Sequence, residues 1–335
     1  ARLPMGIVSA LSILLIYGIG SQLGGTAAGI GAATWMALNI RIRDLSTRAE
    51  ADSLLIFFML AGLLLTIFLI RNQSATSKSR LRAMLLIAGL LGVVFGLGTS
   101  DKLTAVVGLI ALPAAMLAVL LYRSIRERTD LRRNVFEIAT STAVAGIVAF
   151  GLFTSLNPAL YPSPISNSLN LFHYREVEMQ QQMLAYPTGA LAEGLPRFFA
   201  GLQRPLFTYS VGTSLAVNVA GPDGRTLGES LPLDAILVAL GLSVTLWVIV
   251  QNMRRKPTIE QKSSPANEPT KRTEASIVAL VWTALFFVAI VATMGLDWDR
   301  YTLPLMVFAA LWAGVAIGWL TKVLSQLLSR RRVQA

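Results

Sequence analysis

The 335-residue chain contains no cysteine and only one histidine, His173. Without cysteine the protein cannot form disulfides or thiolate zinc sites, and one histidine cannot supply a multi-histidine metal cluster. The sequence also contains no HExxH or CxxC motif, no phosphate-binding loop and no nucleophile triad. We therefore identify no cofactor and no metal ligand, and a dependence on a divalent metal stays open.

Charged residues are scarce as well, at 14% of the chain, whereas 54% of the residues are hydrophobic. This composition lies far outside the range of soluble globular proteins. Since a membrane-spanning helix needs about 20 mostly apolar residues, we predict an all-α polytopic membrane protein with about nine transmembrane helices and one large extracytoplasmic loop of mixed short helices. The nine predicted spans are 5–20, 23–40, 53–71, 81–98, 103–122, 135–156, 233–251, 275–294 and 302–320.

The basic residues indicate which side of the membrane each loop faces. If consecutive spans cross the membrane in alternating directions, 19 of the 29 Lys and Arg residues fall in loops on the same side. Such loops are cytoplasmic in most membrane proteins. We therefore expect an integral protein of the bacterial cytoplasmic membrane, with its N-terminus outside and its C-terminus inside. The basic excess serves membrane insertion and has no interleaved aromatic residues, so we predict no binding of nucleic acid.

The same pattern divides the chain into four parts. Residues 1–156 form an N-terminal membrane bundle of about six spans, and 157–232 form the extracytoplasmic loop segment. Residues 233–320 hold the C-terminal spans, joined by a polar cytoplasmic linker at 252–274. Residues 321–335 form a basic cytoplasmic tail, whose leucines and arginines are suited to contact with anionic headgroups.

Several basic residues lie on the outer side, against the topological preference, and stand beside carboxylates. Arg48 and Asp52 are four residues apart at the entrance of the third span, where they share one helix face and form either an anion site or a surface ion-pair cluster. Lys102, in a very short outer turn, can reach an interfacial phosphate, or it can pair with Asp101 or with lipid headgroups. Arg300 stands between an acid and an aromatic residue, which suits phosphate recognition or a structural clamp.

The long outer segment contains a predicted surface helix at 166–186. His173 and Arg175 on this helix are candidates for ligand contacts. A single histidine on an amphipathic surface helix is nevertheless more often an ordinary surface residue.

Three segments of the chain share their order and their outer location with motifs of a known superfamily. They are STRAEADSLLIFF, GLGTSDKLTAVVGL and DWDRYTLPLMVFAAL. With them the chain resembles the lipid-carrier-dependent glycosyltransferases of the C-type membrane fold, the superfamily of protein O-mannosyltransferases and aminoarabinose transferases. The segment NPALYPSP is also similar to the start of a large outer loop in bacterial members, and the likeness covers nearly the whole chain.

The resemblance implies transfer of a sugar from a polyprenyl-phosphate carrier to an acceptor at the outer membrane face. It makes Arg48, Lys102 and Arg300 candidates for binding the carrier phosphate, and Asp52 a supporting acid. The expected partners are a polyprenyl-phosphate-linked sugar and membrane lipids. The chain resembles the superfamily without its N-terminal spans and first outer loop. We therefore expect the principal acidic base, which lies in that loop, to be absent from this chain.

Two alternatives belong to other classes. The first is a non-catalytic integral membrane subunit that keeps the fold and packs against a membrane protein partner. The second is a transporter or lipid-handling protein, for which charged or broken helices are expected near the membrane midplane. The predicted spans are apolar at mid-span, which disfavours the transporter.

Overall fold

The computed structural model describes residues 2–47, 52–73, 80–126, 131–212, 232–254 and 268–334. Over these ranges the chain folds into helices joined by short turns. The α-helices are α1 (Arg2–Gly24), α2 (Thr26–Leu38), α3 (Ile40–Thr47), α4 (Asp52–Gln73), α5 (Arg80–Asp101), α6 (Val107–Arg126), α7 (Leu131–Leu156), α8 (Pro164–Ala185), α9 (Leu195–Gln203), α10 (Leu233–Arg254), α11 (Glu268–Thr293) and α12 (Asp299–Gln334).

Eight helices in the described part of the chain are long and apolar enough to cross a membrane. They are α1, α4, α5, α6, α7, α10, α11 and α12, with α6 preceded by a 3₁₀ turn at Leu103–Val106. An apolar helix of this length satisfies all its backbone hydrogen bonds internally, as the bilayer core requires. The predicted all-α polytopic membrane fold is therefore confirmed.

The second predicted span, 23–40, differs from the prediction. It forms α2, which has 13 residues and is therefore about 20 Å long, less than the ~30 Å of a bilayer core. Gly25, with a φ of 89°, separates α2 from α1. At the other end the side-chain oxygen of Asn39 accepts hydrogen bonds from the backbone N–H groups of Arg41 and Ile42 at 3.0 and 3.1 Å, which begins α3.

Helix α12 lies at the centre of the bundle, where residues 302–316 are buried without interruption. Small residues bring its neighbours close: a Cβ on Gly314 would collide with the backbone of Ala32 in α2, and one on Gly241 in α10 would collide with the carbonyl of Trp312. The indole N–H of Trp312 donates to Thr283 of α11 at 3.1 Å. These contacts place α12 where its first turn can support a site.

The bundle has two ends of different character. At the basic end, buried carboxylates pair with arginines from neighbouring helices: Arg80 with Glu137 at 2.6 Å, and Arg123 with Glu274 at 2.6 Å. The opposite end holds the start of α4, the turn after α5, the end of α11 and the start of α12, and we call it the cleft end. Helix α12 continues in one piece to Gln334 and so includes most of the predicted tail, 321–335.

Candidate functional site

Lys102 and Asp52 meet at the cleft end. Lys102 follows α5 in an extended conformation, and its backbone N–H closes that helix on the carbonyl of Gly98 at 2.8 Å. Its ammonium group donates a hydrogen bond to the carboxylate of Asp52, in the first turn of α4. A negative charge is stabilised in that position by the helix dipole. The Asp52 side chain is buried, at 5% exposure, whereas 23% of the Lys102 side chain is exposed, so the lysine retains access to a ligand.

Arg300 lies with Lys102 on the wall of one cleft, although Arg300 belongs to α12, Lys102 follows α5, and the two residues are far apart in sequence. The cleft has a cavity volume of about 20 Å³ and has both polar and apolar walls. Its polar lining consists of Lys102, Arg300, Tyr301, Thr104 and Thr293. Its apolar lining consists of Leu55, Ile290, Met294 and Pro304.

The guanidinium of Arg300 packs on aromatic rings. It lies 4.7 Å from the ring centre of Trp298 and 5.6 Å from that of Tyr301, and these two rings stack on each other at 5.9 Å. Cation–π contacts of this length contribute about 0.5–1 kcal/mol at exposed sites and more when they are desolvated. The aromatic rings therefore restrict Arg300 to a small set of orientations beside the cleft.

The segment between α7 and α10, which we call the outer segment after its predicted side, fixes the turn that carries Trp298. Leu191 donates its backbone N–H to the carbonyl of Gly295 at 2.9 Å, and Asp297 donates its own to the carbonyl of Gly189 at 2.7 Å. The two stretches thus run as a short antiparallel pair around the isolated bridge between Ala190 and Leu296. A turn paired in this way holds its side chains in place better than a free loop.

A bidentate ion pair strengthens the same junction. Arg204 donates two hydrogen bonds to the carboxylate of Asp297, with the Nε to Oδ1 bond at 2.7 Å. These hydrogen bonds raise the pKa of Arg204 above its ordinary value, in spite of partial burial. Sequence reasoning missed this pair, because 93 residues separate its members and neither belongs to a recognisable local pattern.

A second polar network, also missed by sequence reasoning, joins α2 to the outer segment and to α10. The side-chain amide of Asn39 donates to the carbonyl of Tyr209 at 2.7 Å, and the guanidinium of Arg41 lies 5.1 Å from the Tyr209 ring. The indole N–H of Trp35 donates to the buried carboxylate of Asp234 at 2.8 Å, which also accepts the backbone N–H of Gly212 at 3.1 Å. Burial of a carboxylate is tolerated where donors surround it, as they do here.

The structure brings Asp52, Lys102 and Arg300 together, but it does not bring all the predicted site residues there. Arg48 lies outside the described residues. His173 and Arg175 lie on the exposed surface of α8, where each contacts an acidic neighbour on the same helix: His173 with Glu176 at 3.7 Å, and Arg175 with Glu178. Neither residue lines the cleft. Their predicted contact with a ligand stays a prediction.

Electrostatically, the charged side chains on the wall of the cleft are both cations, Asp52 behind them pairs with Lys102, and the carboxyl group of Asp101 also interacts with that lysine. Lysine offers a compact point charge and arginine a planar fork of donors, and both are suited to phosphate oxygens. Within the described ranges no group of three or more acidic or histidine side chains is arranged to hold a metal ion. The arrangement can therefore hold an anion by means of two side-chain cations.

The helices define an all-α polytopic membrane protein, and a comparison with solved structures identifies proteins of similar fold. The chain is similar to the crystal structure of the Archaeoglobus fulgidus oligosaccharyltransferase in its apo form, with a TM-score of 0.53 and 15% sequence identity. The match covers 99% of this chain and 40% of that one, so the chain spans about 40% of the length of the archaeal enzyme. The C-type membrane fold that the sequence motifs predicted is thus confirmed at the level of the fold.

A second solved structure is also similar. It is the archaeal oligosaccharyltransferase AglB from Archaeoglobus fulgidus in complex with an inhibitory peptide and a dolichol-phosphate, with a TM-score of 0.49, 14% identity, and coverage of 99% of this chain and 40% of that chain. No protein-family model and no curated protein matches the sequence.

Proposed function

We propose that this protein binds the phosphate of a polyprenyl-phosphate-linked sugar in the cleft and transfers the sugar to an acceptor at the outer face of the membrane. The observation that carries this proposal is the meeting of Lys102 and Arg300 on one wall of a cleft that is otherwise partly apolar. The similarity in fold to an oligosaccharyltransferase supports the same class of reaction, as an analogy between folds.

The charges of the cleft suit a phosphate that is also a leaving group. As the bond between the sugar carbon and the phosphate oxygen breaks, negative charge grows on that oxygen. Lys102 and Arg300 are held in place before the reaction, by Asp52 and by the ring of Trp298, so they stabilise this charge without reorganisation. Asp52 then serves as a supporting acid that orients Lys102.

The position of the cleft suits a ligand that is anchored in lipid. Leu55, Ile290, Met294 and Pro304 lie beside the two cations, at the ends of helices that are apolar enough to cross the membrane. These four side chains are already buried within the protein, so they offer a ligand little apolar area, but they place the two cations at the level where the membrane-crossing helices begin and end. A phosphate bound at this level is within reach of a lipid tail in the bilayer.

The proposed transfer is a substitution at the sugar carbon that carries the phosphate. The acceptor hydroxyl oxygen forms the new bond to that carbon, the bond to the carrier phosphate breaks, and the phosphate leaves with the electron pair. The hydroxyl proton needs a carboxylate base, and no described residue that lines the cleft supplies one. In the proposed orientation the cleft end faces outward and the basic end faces the cytoplasm of a bacterial cell, in accordance with the distribution of Lys and Arg.

The test is the binding of a polyprenyl phosphate to the protein in lipid nanodiscs, measured by native mass spectrometry. We expect Lys102→Gln and Arg300→Gln each to weaken binding about tenfold or more, because a charge-assisted hydrogen bond contributes roughly 1.5–3 kcal/mol. The matched controls are Lys322→Gln and Arg82→Gln, which remove exposed cations of the same types at the basic end. Equal affinities for the site variants and the controls would overturn the assignment of the phosphate site.

Transfer is tested separately, by supplying a polyprenyl-phosphate-linked sugar with a hydroxyl acceptor and measuring the release of polyprenyl phosphate. Release that depends on Lys102 and Arg300 supports an enzyme. Carrier binding without any release would favour the alternative, a non-catalytic membrane subunit that retains the carrier site.

A further inference from the structure

Helix α9 presents a row of large apolar side chains away from the protein. Leu195 is 68% exposed and Phe199 is 59% exposed, and Phe198 and Leu202 are also exposed. The spacing of these four positions places them on one stripe of a helix. An exposed apolar stripe of this size on a short helix normally marks a contact surface.

The opposite face of α9 is fixed, so the direction of the stripe is fixed too. Gly201 lies against Phe287 and Val291 of α11, a contact that a larger residue would disturb. The buried guanidinium of Arg197 donates to the carbonyl of Ala292, near the end of α11, at 3.1 Å, and to the carbonyl of Leu191 at 3.3 Å. Rotation of α9 about its own axis would break these bonds and leave a buried charge without partners.

The apolar stripe continues onto a helix that crosses the membrane. The ring of Phe198 packs edge-to-face on Phe287 of α11, with ring centres 5.5 Å apart. The next residue of α11, Val288, is 60% exposed and lies in a span of 24 residues. Exposed apolar side chains on a membrane-crossing helix contact lipid, so the surface around Val288 is a lipid contact. The exposed face of α9 extends this surface at the cleft end.

We propose that α9 is an interfacial helix whose face of Leu195, Phe198, Phe199 and Leu202 is embedded among the lipid acyl chains of the adjoining leaflet. This inference is independent of the proposed transfer reaction. Helix α9 suits this position, since one face is apolar and exposed and the opposite face is held on the protein by Arg197 and Gly201. Helix α8 does not suit it equally well, because its exposed surface also carries the ionic side chains of residues 173–178.

The position of α9 has a consequence for the cleft. Its underside packs through Ala200 on a small cluster with Ile290 and Met294, and these two residues also line the cleft. The embedded helix therefore sets the depth of the cleft at the boundary between headgroups and acyl chains. A lipid-anchored ligand reaches Arg300 from the side, within the leaflet.

Spin labels can test this proposal cleanly, because the chain has no cysteine and every introduced cysteine is a single labelling site. The variants are Phe199→Cys and Leu195→Cys on the stripe, Val288→Cys as the lipid reference, and Gln180→Cys on exposed α8 as the aqueous reference. Each labelled protein is placed in vesicles of phosphatidylethanolamine and phosphatidylglycerol. Collisions of the label with oxygen, which partitions into lipid, and with a water-soluble nickel chelate are then measured by electron paramagnetic resonance.

We expect the labels at Phe199 and Leu195 to favour oxygen, like the Val288 label, and the Gln180 label to favour the nickel chelate. Access of both α9 labels to nickel at the level of the Gln180 label would overturn the proposal, because the stripe would then face water. Protection of both α9 labels from both reagents would also overturn it, because the stripe would then be covered by protein. Because two α9 positions are labelled, the test remains valid if one of the two variants fails to fold.

Discussion

The ammonium group of Lys102 and the carboxylate of Asp52 form an ion pair that joins the turn after α5 to the first turn of α4. This contact holds the lysine at the cleft before any ligand arrives. It also sets a negative charge beside the place where a phosphate is proposed to bind, so the two anions compete for one cation.

The first prediction concerns this competition. We expect Asp52→Asn to tighten the binding of a polyprenyl phosphate about fivefold, because removing the carboxylate charge relieves roughly 1 kcal/mol of competition at a partly exposed pair. Native mass spectrometry in nanodiscs measures the affinity, and Glu176→Gln, which removes an exposed carboxylate from α8, is the control. The side-chain oxygen of asparagine can still accept a hydrogen bond from Lys102, so the orienting role is retained in this variant. Weaker binding by Asp52→Asn would contradict the competition, because it would mean that Lys102 needs the carboxylate charge to stay at the cleft.

The second prediction concerns the aromatic support of Arg300. Trp298→Leu removes the ring that lies 4.7 Å from the guanidinium, so we expect carrier affinity to fall about fivefold, in line with a cation–π contribution of about 1 kcal/mol. Trp298→Phe keeps an aromatic ring, so its carrier affinity is expected to lie between that of Trp298→Leu and that of the native protein. Trp319→Leu, at an exposed position near the basic end, is the control. If Trp298→Leu bound the carrier as well as this control, the ring would have no part in positioning Arg300.

The third prediction concerns the junction between the outer segment and the turn before α12. Arg204→Gln and Asp297→Asn are each expected to lower the thermal unfolding temperature of the protein in detergent. The double variant should be less destabilised than the sum of the two, with a coupling of about 1–2 kcal/mol, because both changes break one bidentate pair.

The pair of Arg175 and Glu178 supplies the control for this cycle. It also joins an arginine to a carboxylate in the outer segment, but on one exposed helix and three residues apart. We expect its coupling to stay below about 0.5 kcal/mol. Equal coupling in the two cycles would show that the junction at Asp297 has no special role in stability.

The fourth prediction concerns the close approach of α2 and α12. Gly314→Ala places a methyl group against the backbone of Ala32, so we expect a loss of stability of about 1–3 kcal/mol. Gly146→Ala, in α7, meets nothing within 4 Å and should be neutral or slightly stabilising, because alanine favours the helix by about 1 kcal/mol. Thermal unfolding of the two variants measures the difference, and equal stabilities would argue against tight packing of α2 on α12.

Much of this fold follows from hydrophobic length alone. The eight long helices coincide with predicted spans, because a run of about 20 apolar residues has few alternatives in a membrane. The span predicted at 23–40 was wrong because composition does not show where a helix ends, and α2 is too short to cross the membrane. Its limits depend on the positive φ of Gly25 and on Asn39, whose extended backbone ends α2 and whose side chain caps α3.

The candidate site was predictable in part. Lys102 and Arg300 were found because each stands at a span entrance within a motif that resembles a known superfamily, and the fold then brings them to one cleft. The contact of Arg204 with Asp297 depends on how the outer segment folds back on the bundle, and sequence spacing contains no such information, because tertiary packing brings the two residues together. The stacking of Arg300 on Trp298 is local by contrast, since the two residues are neighbours in the sequence.

Helix α12 begins at the cleft and runs for 36 residues, which corresponds to about 54 Å and exceeds the ~30 Å of a bilayer core. No proline follows Pro304 in its sequence, so its long section lacks the usual cause of a kink. The helix therefore acts as a stiff rod through the centre of the bundle, with Arg300 at one tip and the arginine-rich terminus at the other. Because the middle of α12 packs on α2 at Gly314 and on α10 at Gly241, the cleft-side tip of this helix has a fixed position relative to the core of the bundle.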